Sequence, residues 1–143
     1  MKRKLFLSIL IVFFTTSFLF IVGCNNQKDY QLQEQCGKRS EELFKTKYGN
    51  GTVSNEIENT HSIYQCHYNK KMNKCFILTM TDGLIKHNNL PYYQESLSDV
   101  NENHEYGGFY RTDTSVLNCN LITGKMCKNL TEWKSLIKPY MEE

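Results

Sequence analysis

The stretch His61-Ser62-Ile63-Tyr64-Gln65-Cys66-His67-Tyr68-Asn69-Lys70-Lys71-Met72-Asn73-Lys74-Cys75-Phe76-Ile77-Leu78-Thr79-Met80 decides the fold. Through Tyr68 the pattern has the period of a strand: Tyr64, Cys66 and Tyr68 point one way, Ile63, Gln65 and His67 the other. Asn69 to Asn73 is a polar interruption of hairpin size, and Lys74–Met80 reads as the return strand. Phe76, Ile77, Leu78 and Met80 crowd together too closely for a one-sided strand, so burial on both faces is expected.

Upstream, residues 29–48 have helical spacing. Leu32, Cys36, Leu43 and Phe44 fall on one face, while Lys38, Arg39, Glu41, Glu42 and Lys45 occupy the others. Gly49-Asn50-Gly51 ends that helix, because these residues tolerate the left-handed conformation. A polar linker then leads into the hairpin. Downstream, Thr81-Asp82-Gly83 turns the chain, and Leu84–Ser96 has no clear period, with Pro91 favouring a loop. Short strands are expected near Leu97–Val100 and Glu105–Arg111, and a last pair near Val116–Leu121 and Lys125–Cys127. Gly107-Gly108 marks a bulge or a close backbone approach. The terminal helix is better defined. Asn129 can cap it, Glu132 follows three positions on, Leu130, Trp133, Leu136, Ile137 and Tyr140 form its apolar stripe, and Pro139 marks its end. The expected class is α+β: an N-terminal helix, an antiparallel sheet of about four to five strands, and a C-terminal helix that buries its stripe on the sheet.

The N-terminus has a different character. Lys2, Arg3 and Lys4 precede an apolar run from Leu5 to Val22, which ends in Ile21-Val22-Gly23-Cys24 before the polar Asn25-Asn26-Gln27-Lys28. A cationic start, an apolar stretch and a small residue before a cut form an export signal. The four residues ending at Cys24 resemble the lipobox of bacterial lipoproteins. That resemblance implies cleavage between Gly23 and Cys24, a diacylglyceryl group on the thiol, and an acyl chain such as palmitate on the new N-terminus. Two or more chains give stable anchoring where one does not. The bland alternative is an uncleaved signal anchor, since the run is near the lower limit for a spanning helix. The expected organisation is a signal peptide at 1–23, a lipidated N-terminus and tether at 24–28, and one extracytoplasmic domain at 29–143. The anchoring membrane is the cell membrane or the outer membrane. Asn25 is not the aspartate that retains lipoproteins in some inner membranes, which weakly favours the outer one.

The signal takes three of the seventeen Lys+Arg and none of the fifteen Asp+Glu, leaving fourteen cations against fifteen anions, a net of −1. The formal positive charge of the whole chain thus belongs to the leader, and no basic stripe remains to bind nucleic acid. Six cysteines in an exported chain point to disulfides. With Cys24 lipidated, five remain, an odd number. Cys119 and Cys127 flank a hairpin-sized loop and are the first choice of pair. For the rest, a two-residue turn at Lys70-Lys71 would set Cys66 opposite Cys75, whereas a Cys36–Cys75 bridge would pin the first helix to the sheet. The longer loop gains more in the chain-entropy model, on the order of 4 kcal/mol against about 2 to 3 for the hairpin. Cys36–Cys75 is therefore favoured, with Cys66 left as the free thiol.

Tyr64 to Phe76, with Cys36, Cys119, Cys127 and Pro139-Tyr140-Met141, also resembles small, uncharacterised bacterial lipoproteins and secreted proteins. Their pattern is a helix cysteine, a His-Tyr-Asn-Lys-Lys and Lys-Cys-Phe hairpin, and two cysteines before a C-terminal helix. Cys66 departs from that pattern, and the resemblance thereby adds support to Cys36–Cys75. It brings no activity with it.

Chemistry is sparse. Cys66 and His67 are neighbours, but adjacent strand residues face opposite ways, so they do not form a nucleophile pair. His61 and His67 share a face about 20 Å apart, too far for one metal ion. His87 and His104 would need tertiary convergence. The sequence contains no phosphate loop, metal motif or nucleophile elbow, so no catalytic residue, metal ligand or cofactor is expected. Tyr92-Tyr93, Tyr106 and Tyr110 could line a glycan or peptide surface, although sheet packing accounts for any single one. The leading expectation is a non-catalytic binding module, with membrane lipid and an envelope protein or cell-wall component as partners. The alternatives are a thiol enzyme or redox protein using Cys66, and an inhibitor of a lysozyme-type hydrolase.

Overall fold

A computed structural model describes residues 27–142 of the 143-residue chain. Cys24 and Gly23, with the rest of the signal segment, lie outside the described residues. The chain divides into two compact units, Met1–Leu32 and Gln33–Glu143. Of the first, residues 27–32 are described and are helical; the sheet and both disulfides belong to the second.

Helix α1 (27–48) is followed by β1 (Thr52–Ser54), β2 (Glu58–Asn69), β3 (Lys74–Ile85), β4 (Leu90–Asp99), β5 (His104–Thr112), β6 (Val116–Leu121) and α2 (Leu130–Met141). The six strands form one antiparallel meander in chain order. Each strand pairs with its sequence neighbour, the arrangement that short turns permit. The α+β class and both helices agree with the sequence reading, and there are more strands than expected. The addition is β1, three exposed residues inside the supposed linker, held by Ser62 N–H donating to Gly51 O at 2.6 Å.

The helices cover opposite faces of the sheet. On one, Cys36 of α1 is bridged to Cys75 of β3 (Cα–Cα 5.4 Å), and the Phe44 ring lies 4.6 Å from that of Tyr64. On the other, Phe76, Leu78, Leu97, Phe109 and Leu121 form the core with Trp133 and Ile137 of α2. Alternation along β3 therefore serves two buried faces at once. This explains the unbroken apolar run: Cys75, Ile77 and Thr79 meet α1 while Phe76 and Leu78 meet α2.

The structure corrects several expectations. The β2–β3 turn uses four residues, 70–73, and closes with Asn73 at φ 52°, so Asn69 pairs with Lys74 and Cys66 with Ile77. Cys75 instead faces Tyr68, which places the hairpin bridge out of register. Leu84–Ser96 is not a loop: β3 runs to Ile85 and β4 starts at Leu90. Pro91 is tolerated for a reason of ladder phase. Val100 N–H donates to Cys75 O at 2.8 Å, so even-numbered residues of β4 donate to β3 and Pro91 points toward β5, whose last residue pairs with Tyr92. No ladder bond is lost there. The expected strand at Lys125–Cys127 is reduced to one bridge, Asn120 with Met126, beside the Cys119–Cys127 disulfide (Cα–Cα 5.1 Å). Pro139 sits inside the last turn of α2 rather than at its end.

Other devices follow the sequence. Asn129 Oδ1 accepts from Glu132 N–H at 2.9 Å, and the Glu132 carboxylate reaches back to Lys128 N–H at 2.9 Å. This is a capping box shifted by one residue. At Gly107 an added Cβ would sit 2.4 Å from Asn120 O and 2.7 Å from Leu121 Cδ2, next to a bulge in β5. Only glycine fits so close an approach.

Candidate functional site

Neither helix reaches the end of the sheet where β2 begins and β3 ends. On the α2 face of that end, register sets His61 of β2 opposite Asp82 of β3, Asp82 opposite Tyr93 of β4, and Tyr93 opposite Arg111 of β5. With strands about 4.8 Å apart, the row spans about 15 Å. His61, Asp82 and Arg111 are exposed. Asp82 borders two hollows, one of about 360 Å³ with Thr52, Asn59, His61 and Leu84, and one of about 120 Å³ with Pro91, Tyr93, Arg111 and Asp113.

Tyr93 is the fixed member of the row. The Arg111 guanidinium lies 5.7 Å from the centre of its ring, and its hydroxyl donates to Glu95 Oε1. Burial raises the Tyr93 hydroxyl well above the ordinary tyrosine range; the Glu95 hydrogen bond, then the charges of Glu95 and Asp82, add to this, and Arg111 opposes it. The phenol therefore stays neutral across the physiological range and serves as a donor and an apolar wall. Glu95, fully buried, also accepts from Trp133 Nε1 at 2.8 Å and Lys134 Nζ at 2.7 Å. The row is thus braced to α2 through one carboxylate.

On the opposite face Tyr92 lies flat over Gly83, where a built Cβ would meet its ring at 2.2 Å, and donates to Glu58 Oε2 at 2.9 Å. Its ring is 5.6 Å from Tyr110. Tyr106 and Tyr93 instead face the α2 core, so the four tyrosines singled out in the sequence are divided between the faces. They make no single surface.

Thr52, His61 and Asp82 are successive cross-strand neighbours, which places a hydroxyl, an imidazole and a carboxylate in the order of a nucleophilic triad. No side-chain hydrogen bond joins them among the described residues, and all three are exposed. The row offers mixed donors and acceptors to a ligand, not an assembled nucleophile. Cys66 is a free, half-buried thiol on the α1 face, while His67 faces the other way with its Nε2 buried and unpartnered. His87 and His104 lie at opposite ends of the sheet, and among the described residues no three His, Cys, Asp or Glu side chains are placed to hold a metal. No helix among them is long and apolar enough to cross a membrane.

Sequence reasoning placed His61 on the correct face but missed Asp82, Tyr93 and Arg111 as its companions. They are separated by turns whose lengths set the register, and no local pattern carried that number. Compared with family models, with curated proteins and with solved structures, the chain matches none.

Proposed function

We propose that the chain is a cell-envelope lipoprotein, anchored to the cell membrane or outer membrane by acylated Cys24, whose domain is a non-catalytic binding module. The observation that carries this reading is the N-terminal pattern: three cations, an apolar run, and Ile21-Val22-Gly23-Cys24 before a polar segment. Disulfides at Cys36–Cys75 and Cys119–Cys127 support it, because such bridges persist in oxidising compartments. The binding surface is the row His61–Asp82–Tyr93–Arg111 with its two hollows, which suits a polar group of an envelope protein or a cell-wall component.

A photo-crosslinking residue placed at His61 or Arg111 in intact cells tests the reading. The expected result is a discrete adduct at these positions, absent with the same residue at Ser135 on α2 and lost on reversing Asp82→Arg. Identical labelling at all three positions would count against a binding surface at the row.

A further inference from the structure

Backbone groups along the edge of a sheet pair with something or are left as a template for another strand. At one edge, β6 is covered by the chain that follows it: Leu121 N–H donates to Lys125 O at 2.9 Å and Cys127 N–H to Cys119 O at 3.0 Å. The other edge is β1 for three residues only, Thr52–Ser54, set against Asn59, Thr60 and His61. Past β1, β2 itself becomes the edge. Ser62 N–H is taken by Gly51 O at 2.6 Å and Tyr68 N–H by Gln33 Oε1 at 2.8 Å, so the even-numbered residues of this stretch point their backbone groups outward. Between these two, the outward N–H and C=O groups of Tyr64 and Cys66 meet no partner among the described residues.

The open stretch, 63–67, is about 14 Å long. Its sequence, Ile63-Tyr64-Gln65-Cys66-His67, contains no Lys, Arg, Asp, Glu or Pro, the residues that discourage pairing at sheet edges, and no bulge breaks its register with β3. Both faces leave room beside it. On the α2 face Ile63 is 52% exposed, and Gln65 is exposed too. On the α1 face, Gly37 follows Gln33 by one helical turn on the same side of the helix, and a Cβ built there meets nothing within 4 Å. The stretch is closed at its two ends, by Gly51 and by Gln33. A second copy of the chain, whose β2 runs for 12 residues within its own sheet, would drive that strand into both closures. A short extended peptide that leaves the edge after about five residues fits between them.

We propose that the edge of β2 at 63–67 binds a partner protein by strand addition, taking one short extended segment of it as an antiparallel neighbour. Tyr64 and Cys66 each exchange an N–H and a C=O bond with that segment. Ile63 then belongs to a non-hydrogen-bonded pair, in which side chains come closest, so the segment carries an apolar β-branched or aromatic residue opposite it. This surface is separate from the row His61–Asp82–Tyr93–Arg111 and does not depend on the acylation of Cys24.

The test uses the full-length protein purified in detergent, with a display library of random linear heptapeptides as the probe and synthetic copies of the enriched peptides for measurement. At saturation these peptides should slow hydrogen exchange at the Tyr64 and Cys66 amides by about tenfold or more and leave the amides of β6 unchanged. N-methylation of a peptide at alternate residues should weaken binding by about tenfold or more, and at the residues between should not, because only alternate amides face β2. Cys66→Pro removes one outward N–H, a change that edge strands tolerate, and should weaken binding by about tenfold or more with the circular dichroism of the domain unchanged. Peptides that bind Cys66→Pro as well as the parent, or that tolerate N-methylation at every residue, overturn the strand addition. A library that yields no peptide slowing exchange at the two amides overturns it as well. Slowed exchange there that grows with protein concentration in the absence of peptide assigns the edge to a second copy and overturns the proposal. Peptides lost on Asp82→Arg but retained by Cys66→Pro overturn it too, and leave the row standing as the binding surface.

Discussion

Replacing Glu95 by glutamine tests how α2 is held. Glu95 is fully buried and accepts from Trp133 Nε1 at 2.8 Å, from Lys134 Nζ at 2.7 and 2.8 Å, and from the Tyr93 hydroxyl. A hydrogen bond to a charged acceptor contributes about 1.5–3 kcal/mol, and an orphaned buried donor costs a similar amount. The Lys134 side chain is 44% exposed, so its share is screened and stays under about 1 kcal/mol. Glutamine keeps one acceptor oxygen but sets an amide against the Trp133 or the Tyr93 donor and removes the charge that both bonds rely on, so the loss is about 2–4 kcal/mol. In a domain of this size that lowers Tm by about 8–16 °C. Urea unfolding read through Trp133, the single tryptophan, gives the number directly. Lys134→Ala should cost under about 1 kcal/mol. A Glu95→Gln effect below about 0.5 kcal/mol, or a Lys134→Ala effect as large as that of Glu95→Gln, would refute the reasoning.

Asn69 is buried, donates from Nδ2 to Pro139 O at 2.8 Å and accepts Met72 N–H at 3.0 Å. Asn69→Ala orphans both and should cost about 1–3 kcal/mol in urea unfolding, with the end of α2 fraying first in hydrogen exchange. Cys36→Ser opens a loop of sequence separation 39 and Cys119→Ser one of 8, so non-reducing denaturation should show losses of about 4 and about 2.5 kcal/mol respectively. Equal losses would contradict the loop argument. The Tyr92 hydroxyl is pushed up to about 12, first by burial and then by its bond to Glu58. A raised folded value means that the folded state binds the proton more tightly. Stability is therefore complete below pH 10 and declines between about pH 10 and 12. Tyr92→Phe should flatten part of that decline in pH-dependent melts.

What the sequence disclosed and what it withheld divide along a physical line. Faces were legible. Alternation from Ile63 to Tyr68 and the stripe Leu130–Tyr140 each follow from the period of one element, and each has the predicted orientation. The pairing of Cys36 with Cys75 followed from loop entropy and agrees with the fold. Register was not legible. Asn73 in the left-handed region lengthens the hairpin turn by two residues, which moves Cys66 from Cys75 to Ile77. The row of the candidate site depends on three such registers in succession, so no local signal could have assembled it. Pro91 misled because its cost depends on which way its nitrogen points, and ladder phase is a property of the assembled sheet.

Intact-mass measurement of the protein extracted from its own membranes bears most directly on the proposed anchor. The account predicts a chain that begins at Cys24 and carries a diacylglyceryl group with further acyl mass on that residue. A chain retaining Met1–Gly23 with an unmodified Cys24 thiol would contradict it.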